Sequence, residues 1–174
     1  MAQVNYTDNG LVFITKETGS AVTQINIDNC FSANYSQYKI IIDLSTVSAS
    51  IYPAIRLRAG GVTESGTAYN TQFIYAGNTT VAGGRSTTAT ALISASYTLT
   101  STNSGCSIIE ILNPYQTSVT TGYSFRADRP ETALIEMSLE VGGTDATTSY
   151  DGLSVVSLSG NLTGTVYVYG YVES

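Results

Sequence analysis

The chain has 174 residues, which suits one domain with a continuous core. Hydrophobic residues make up 43%, a composition that does not read as disordered. Charged residues are only 11%, the net charge is −6 and the seven basic residues are scattered, which argues against nucleic acid as a partner. Polarity is carried by Ser, Thr, Asn and Gly, a surface that suits strands better than helices. There is no histidine, so the commonest general base and the commonest metal ligand are missing, and a Ser-His-Asp triad cannot be built. The two cysteines, Cys30 and Cys106, sit in apolar neighbourhoods and are expected as buried free thiols. The N-terminal stretch lacks the pattern of a signal peptide, and no apolar run approaches the ~20 residues of a membrane span, so no membrane insertion is expected.

In chain order, Leu11-Val12-Phe13-Ile14 reads as a short strand, with a break at Gly19-Ser20. Residues 1–20 are thus a first strand or N-terminal arm, and 21–174 the domain proper. Val22 to Asp28 alternates, with Ile25 and Ile27 inward. Phe31 to Tyr38 is a loop or a single helical turn. Lys39 to Leu44 contains an unbroken Ile run, expected to be buried on both faces. Ile51 to Ala59 places Ile55, Leu57 and Ala59 on one face and Arg56 and Arg58 on the other, and Gly60-Gly61 ends it. Thr63 to Gly84 is weakly patterned, with one strand at Gln72 to Tyr75, and 81–88 reads as loop. Thr90 to Leu99 alternates less cleanly and reads as a weak strand.

Cys106 to Leu112 is a strand in which Cys106, Ile108 and either Ile109 or Ile111 compete for the inner face. Ser118 to Ala127 is another, followed by a turn at Asp128-Arg129-Pro130. Ala133 to Val141 is a strand with Ile135, Met137, Leu139 and Val141 expected inward. Leu153 to Leu158 and Leu162 to Val172 are read as a closing hairpin. The last strand sets Val166, Val168 and Val172 on one face and Tyr167, Tyr169 and Tyr171 on the other. Neither face is charged, so both are expected to be covered, one by a second sheet and the other by a neighbouring sheet or another copy. Eight to ten short strands and no helical period predict an all-β, jelly-roll-like antiparallel β-sandwich in a single domain.

Candidate chemistry is sparse. Glu136 and Glu140 lie roughly 13 Å apart on one strand face, too far for a glycosidase pair, and read as a solvated or interface-facing stripe. Asp128, Glu131, Asp145 and Asp151 fall on predicted loops without a calcium-loop spacing. Arg56 and Arg58 share a face and are candidates for cross-strand pairing with Glu136 and Glu140, or for contact with an acidic partner. Thirteen tyrosines and no tryptophan suggest contact between subunits or a saccharide-stacking surface. Core packing and interface use are both open for Tyr167, Tyr169 and Tyr171. The loops expected at 63–71, 76–88 and 142–150 are candidate recognition segments. No catalytic, cofactor-binding or metal-binding residue set emerges, and no enzyme is expected. The candidate interface residues are Tyr167, Tyr169, Tyr171, Arg56 and Arg58.

Four pieces follow one another in a suggestive order: Phe31 to Ile40 with its Tyr-x-x-Tyr, Ile55 to Gly61 with its Arg-x-Arg, Thr148 to Leu153, and Ser159 to Gly170 with its closing Gly-Asn-Leu-Thr-Gly-Thr-Val-Tyr-Val-Tyr-Gly. Together they make residues 20–172 resemble small virion structural proteins of tailed bacteriophages, especially those of cyanophages. The resemblance implies a jelly-roll-like sandwich assembled into the virion, often as a homotrimer, in a fibre, knob or capsid decoration, with other capsid or tail proteins as neighbours and no cofactor. A fibre subunit usually has a longer attachment region, which leaves residues 1–20 as the docking arm. The alternative reading is a receptor-binding module for host attachment that recognises surface glycan through tyrosine stacking.

Overall fold

The computed structural model describes residues 10–48, 53–77, 80–94, 105–117, 121–130 and 135–172. These form thirteen strands and no helix: β1 (Leu11–Val22), β2 (Gln24–Ile27), β3 (Gln37–Val47), β4 (Pro53–Ala59), β5 (Val62–Thr63), β6 (Tyr69–Gly77), β7 (Thr80–Ala89), β8 (Ile93–Ser94), β9 (Gly105–Leu112), β10 (Thr121–Pro130), β11 (Ile135–Thr144), β12 (Gly152–Ser157) and β13 (Leu162–Tyr171). A large sheet of eight strands runs β1-β13-β3-β9-β10-β11-β6-β7, and a small sheet runs β2-β12-β4-β5, with β8 also paired to β4. Every pairing is antiparallel.

The strands β1, β2, β3, β4, β8, β9, β12 and β13 alternate between the two sheets in the jelly-roll manner. One sheet holds β1-β13-β3-β9 and the other β2-β12-β4-β8. The remaining long strands are two hairpins. β6–β7 is inserted before β8, and β10–β11 follows β9. The hairpins pair with each other through β11 and β6 and lengthen the large sheet beyond β9.

The core lies between the small sheet and the jelly-roll half of the large one. Period-two alternation builds it: Ile25 and Ile27 from β2, Ile40, Ile42 and Leu44 from β3, Ile55 and Leu57 from β4, Ile109 and Ile111 from β9, Leu153 and Val155 from β12, and Val166 and Val168 from β13 form one buried cluster. Ala54 and Val156, which are register partners, join Ala91 in a smaller cluster on the other side of the small sheet.

Local chemistry explains the corners. Gly60 and Gly61 both adopt positive φ, 56° and 81°, and form the two-residue turn between β4 and β5. β1 runs on past Gly19 rather than stopping there, and its register against β13 slips between Gly19 and Val22. Ala21 sits at φ 54° in that slip, and the chain then switches sheets into β2. Residues 11–20 of the proposed arm therefore belong to a strand hydrogen-bonded to β13, and residues 1–9 lie outside the described residues.

Several expectations are corrected. β12 and β13 do not make a hairpin, because they lie in different sheets. Residues 80–89 form strand β7 where a loop was expected, since Thr, Ala and Gly give no amphipathic signal but satisfy a ladder through backbone groups alone. The Ile run of β3 is covered on one face only: Ile40 and Ile42 are buried, whereas Ile41 is half-buried and Asp43 exposed. In β9 the inner face is Ser107, Ile109 and Ile111, and Cys106 and Ile108 point out. Asp128 to Pro130 continues β10 instead of turning. The expected strand at 90–99 is reduced to β8 within the described residues.

The asymmetry of β3 is testable. Ile40→Ala is expected to lower unfolding free energy by about 2–5 kcal/mol and Ile41→Ala by roughly half of that or less, measured by urea denaturation of each variant. Equal losses would mean that both faces are covered.

Candidate functional site

The large sheet has one face against the core and the other turned outward. Register defines two transverse rows on that outer face. One runs Lys16-Tyr167-Ile41-Ile108, crosses β10 at Arg126, and continues through Leu139 and Ile74 to Gly83. The other runs Phe13-Tyr169-Lys39-Glu110, crosses β10 at Ser124, and continues through Val141 and Gln72 to Arg85. Seven interstrand steps of about 4.8 Å make this face ~34 Å wide.

The face is apolar for a surface open to solvent. Phe13, Ile74, Leu139 and Val141 are each 50–55% exposed, and Leu11, Ile108 and Leu112 are also exposed. The tyrosines of β13 lie half-buried among them: none of Tyr167, Tyr169 and Tyr171 is in the core. Tyr169 meets Phe13 edge-on with ring centres 5.6 Å apart. Tyr171 donates its hydroxyl to Glu110 Oε1 at 2.6 Å.

β11 is the decisive strand. Its aliphatic side chains were expected inward, yet Leu139 and Val141 face out and Glu140 is the buried member, 1% exposed. The reason is register: pairing with β6 aligns Leu139 with Ile74 and Val141 with Gln72, and sets Glu140 opposite Phe73 on the other face. Alternation distinguishes two faces of a strand but does not say which is wet. Glu140 is therefore not part of a solvated stripe, and the side chain of Glu136 lies outside the described residues.

At the β6–β7 end the outer face holds an open depression of about 510 Å³. Its apolar lining is Ile74, Leu139 and Val141; Asn70, Gln72 and Arg85 supply polar groups. A register slip between Tyr69 and Thr71 bends β7 beside it. This feature was not legible in the sequence, because it depends on the register that brings β11, β6 and β7 together.

The arginines are elsewhere. Arg56 and Arg58 project from β4 on the outward side of the small sheet, across the sandwich from the tyrosines, so the five candidate interface residues do not form one site. Their expected pairing with Glu136 and Glu140 does not occur, since β4 and β11 belong to different sheets. Arg58 is buried, with all five donors used. Nε donates to Asp28 Oδ1 at 2.7 Å, Nη2 to Asp28 Oδ2 at 3.3 Å and Gly61 O at 2.5 Å, and Nη1 to Thr63 Oγ1 at 2.5 Å and Ser154 Oγ at 3.2 Å. It is a clamp that ties β2, the β4–β5 turn and β12 together. Arg56 Nε donates to Thr90 O at 2.9 Å.

Other candidates are likewise absorbed by structure. Asp145 Oδ2 accepts from Asn70 Nδ2 at 3.3 Å, Asp151 Oδ2 accepts from the Gly60 amide at 3.0 Å, Asp128 lies within β10, and Glu131 is outside the described residues. Among the described residues no group of three His, Cys, Asp or Glu side chains is placed to hold a metal ion. Of the expected recognition loops, 76–88 is largely β-strand. Tyr38 and Tyr69 are buried and brace loops: Tyr38 accepts from the Ser32 amide at 2.7 Å, and Tyr69 accepts from the Leu57 amide at 3.0 Å. Burial raises both phenol pKa values. Cys30 is buried, which pushes its thiol up to about 12, whereas Cys106 is exposed on the outer face; neither is in a disulfide.

No protein-family description, curated protein or solved structure matches the chain.

Two outcomes follow from this geometry. Arg58→Ala is expected to cost about 1–3 kcal/mol in urea unfolding, kept moderate because Asp28 is partly solvated, and Arg58→Lys to recover only a minor part because a single ammonium cannot reproduce the fork. The bond to Glu110, followed by burial and the carboxylate charge, raises the Tyr171 phenol to about 12. A raised pKa means the bond's stabilisation is full below pH ~10 and is lost as pH rises through about 12. Glu110→Ala should return the Tyr171 titration toward ~10, read from the tyrosinate absorbance as a difference from Glu110→Ala/Tyr171→Phe. A midpoint left near 12 would refute Glu110 as the cause.

Proposed function

We propose that the chain is a non-enzymatic structural protein of a bacteriophage particle, a tail-associated fibre or knob or a capsid decoration. It acts through subunit contacts made by the outer face of its large sheet. The observation that carries this reading is the inversion of β11, which turns Leu139 and Val141 out and Glu140 in. A solvated monomer gains nothing from aliphatic groups half in water, whereas a partner sheet recovers roughly 25 cal/mol for each Å² of apolar surface it covers. Aromatic and aliphatic residues over a rigid sheet are also found at the centre of permanent subunit interfaces. The resemblance of residues 20–172 to tailed-phage virion proteins supports the location in the particle and a homotrimer, with copies of itself and other capsid or tail proteins as partners.

The test joins particle and solution. The chain should be found in purified virions, and the isolated protein should form an oligomer whose assembly protects Cys106 from a thiol reagent. Leu139→Glu with Ile108→Glu should break the face contact, lowering the mass, and restore Cys106 reactivity while the circular dichroism of the fold is kept. Absence from virions, or an unchanged mass in the double variant, would overturn the reading.

The depression favours a second reading, a module that binds host glycan. A few polar groups above an apolar floor is the usual form of a small-ligand site. Binding of the isolated protein to a glycan array, lost in Arg85→Ala/Gln72→Ala, would decide for it.

A further inference from the structure

We propose that β7 is a pairing edge, and that a second copy of this chain adds its own β7 to it in antiparallel register about a two-fold axis at Gly83. The large sheet has two edges. β1 is a poor template: its ladder slips twice, between Phe13 and Thr15 and between Gly19 and Val22, and it carries Lys16 and Glu17 at mid-strand. Such irregularity and charge are how sheets block unwanted pairing. The small sheet ends on β2, of four residues, and on β5 and β8, of two residues each. β7 is the exception. Thr80 to Ser86 pairs with β6 without a slip, contains no proline and carries a single charge, Arg85. Among the described residues no strand is bonded to its far side.

The occupant follows from the regular run itself. In a two-fold antiparallel pair, residues that face each other must point to the same side of the sheet, so the axis passes through a residue. The run Thr80 to Ser86 has Gly83 at its midpoint, and an axis there uses all of it. Gly83 then faces Gly83 of the second copy, where no side chains crowd the axis. Val81 faces Arg85 of the second copy, and the arginine stem covers an otherwise exposed valine. The two Arg85 side chains end up about 13 Å apart by strand rise. An axis at Arg85 would set like charges directly opposite, which is unfavourable. The same geometry leaves both outer faces on one side of a continuous sheet, so this contact is separate from the face contact proposed above and does not rest on it.

The experiment is done in the Leu139→Glu/Ile108→Glu background, where face contacts are removed, with mass measured by analytical ultracentrifugation over a concentration series. The parent should be a dimer. Val81→Lys sets lysine opposite Arg85 twice per pair and should weaken dimerisation roughly tenfold; Val81→Glu should strengthen it by a similar factor; Val81→Lys/Arg85→Glu should restore it. Val81 is 73% exposed, so these changes leave the fold intact, checked by circular dichroism. A monomeric parent, or Lys and Glu variants that behave alike, would overturn the proposal. Whether the wild-type mass falls on introducing the two face substitutions judges the face contact independently.

Discussion

The valines of β13 hold the two layers together. Val166 and Val168 are buried against residues of both sheets, while the backbone of the same strand is bonded to β1 on one side and β3 on the other. Both ladders and the core therefore depend on one register. A slip by one residue would turn the valines into solvent and the tyrosines into the core. At Gly164, where the ladder with β3 is irregular, an added Cβ would press on the Asp43 carbonyl, so even the small residues of this strand are set by the approach of its neighbour. The tyrosines on the other face are a consequence: with the inner side filled by valine, the outer side is free to carry amphipathic rings that tolerate either water or a partner.

The two inserted hairpins change what that outer face can do. A jelly roll needs only β1, β13, β3 and β9 in this sheet. Pairing of β11 with β6 joins one hairpin to the other and doubles the sheet from four strands to eight. The added half carries Ile74, Leu139 and Val141 outward, continuous with the row from Tyr167, Ile41 and Ile108. It also ends in β7, which pairs regularly from Thr80 to Ser86. The insertions thus supply the apolar breadth, the depression and the open edge together, while the jelly roll beneath supplies rigidity. The other side of the molecule is organised differently: Arg58 satisfies its donors internally and stitches the small sheet, so polarity there serves stability.

Which parts were readable in advance follows from the range of the interactions. Ile25 and Ile27, Ile55 and Leu57, and Val166 and Val168 announced their burial because alternation within a strand is local. The same pattern failed at β9 and β11. In β9 both faces carry apolar residues, so Ile108 competes for the inner face although it is exposed; in β11 the alternation is clean, but it does not say which face is wet, and Leu139, expected inward, is exposed. β7 was missed for a related reason: Thr, Ala and Gly leave its strand character to backbone bonding with β6. Cys106 and Ile108 lie two residues apart and share the wet side, while Ser107 between them points in, since neighbours along a strand point opposite ways.

By itself the sequence determined an all-β sandwich, most of its core, the Gly60-Gly61 turn, the division of β13 into a valine and a tyrosine face, and the absence of the histidine chemistry on which many sites depend. Only the tertiary structure decided that β12 and β13 part into different sheets, that two hairpins unite to widen one of them, that Leu139 faces out while Glu140 faces in, and that Arg58 is bound inside the fold rather than offered to a partner. The physical reason is that side-chain periodicity is written residue by residue, whereas sheet membership, register and the choice of dry face are settled by hydrogen bonds and packing between segments up to a hundred residues or more apart.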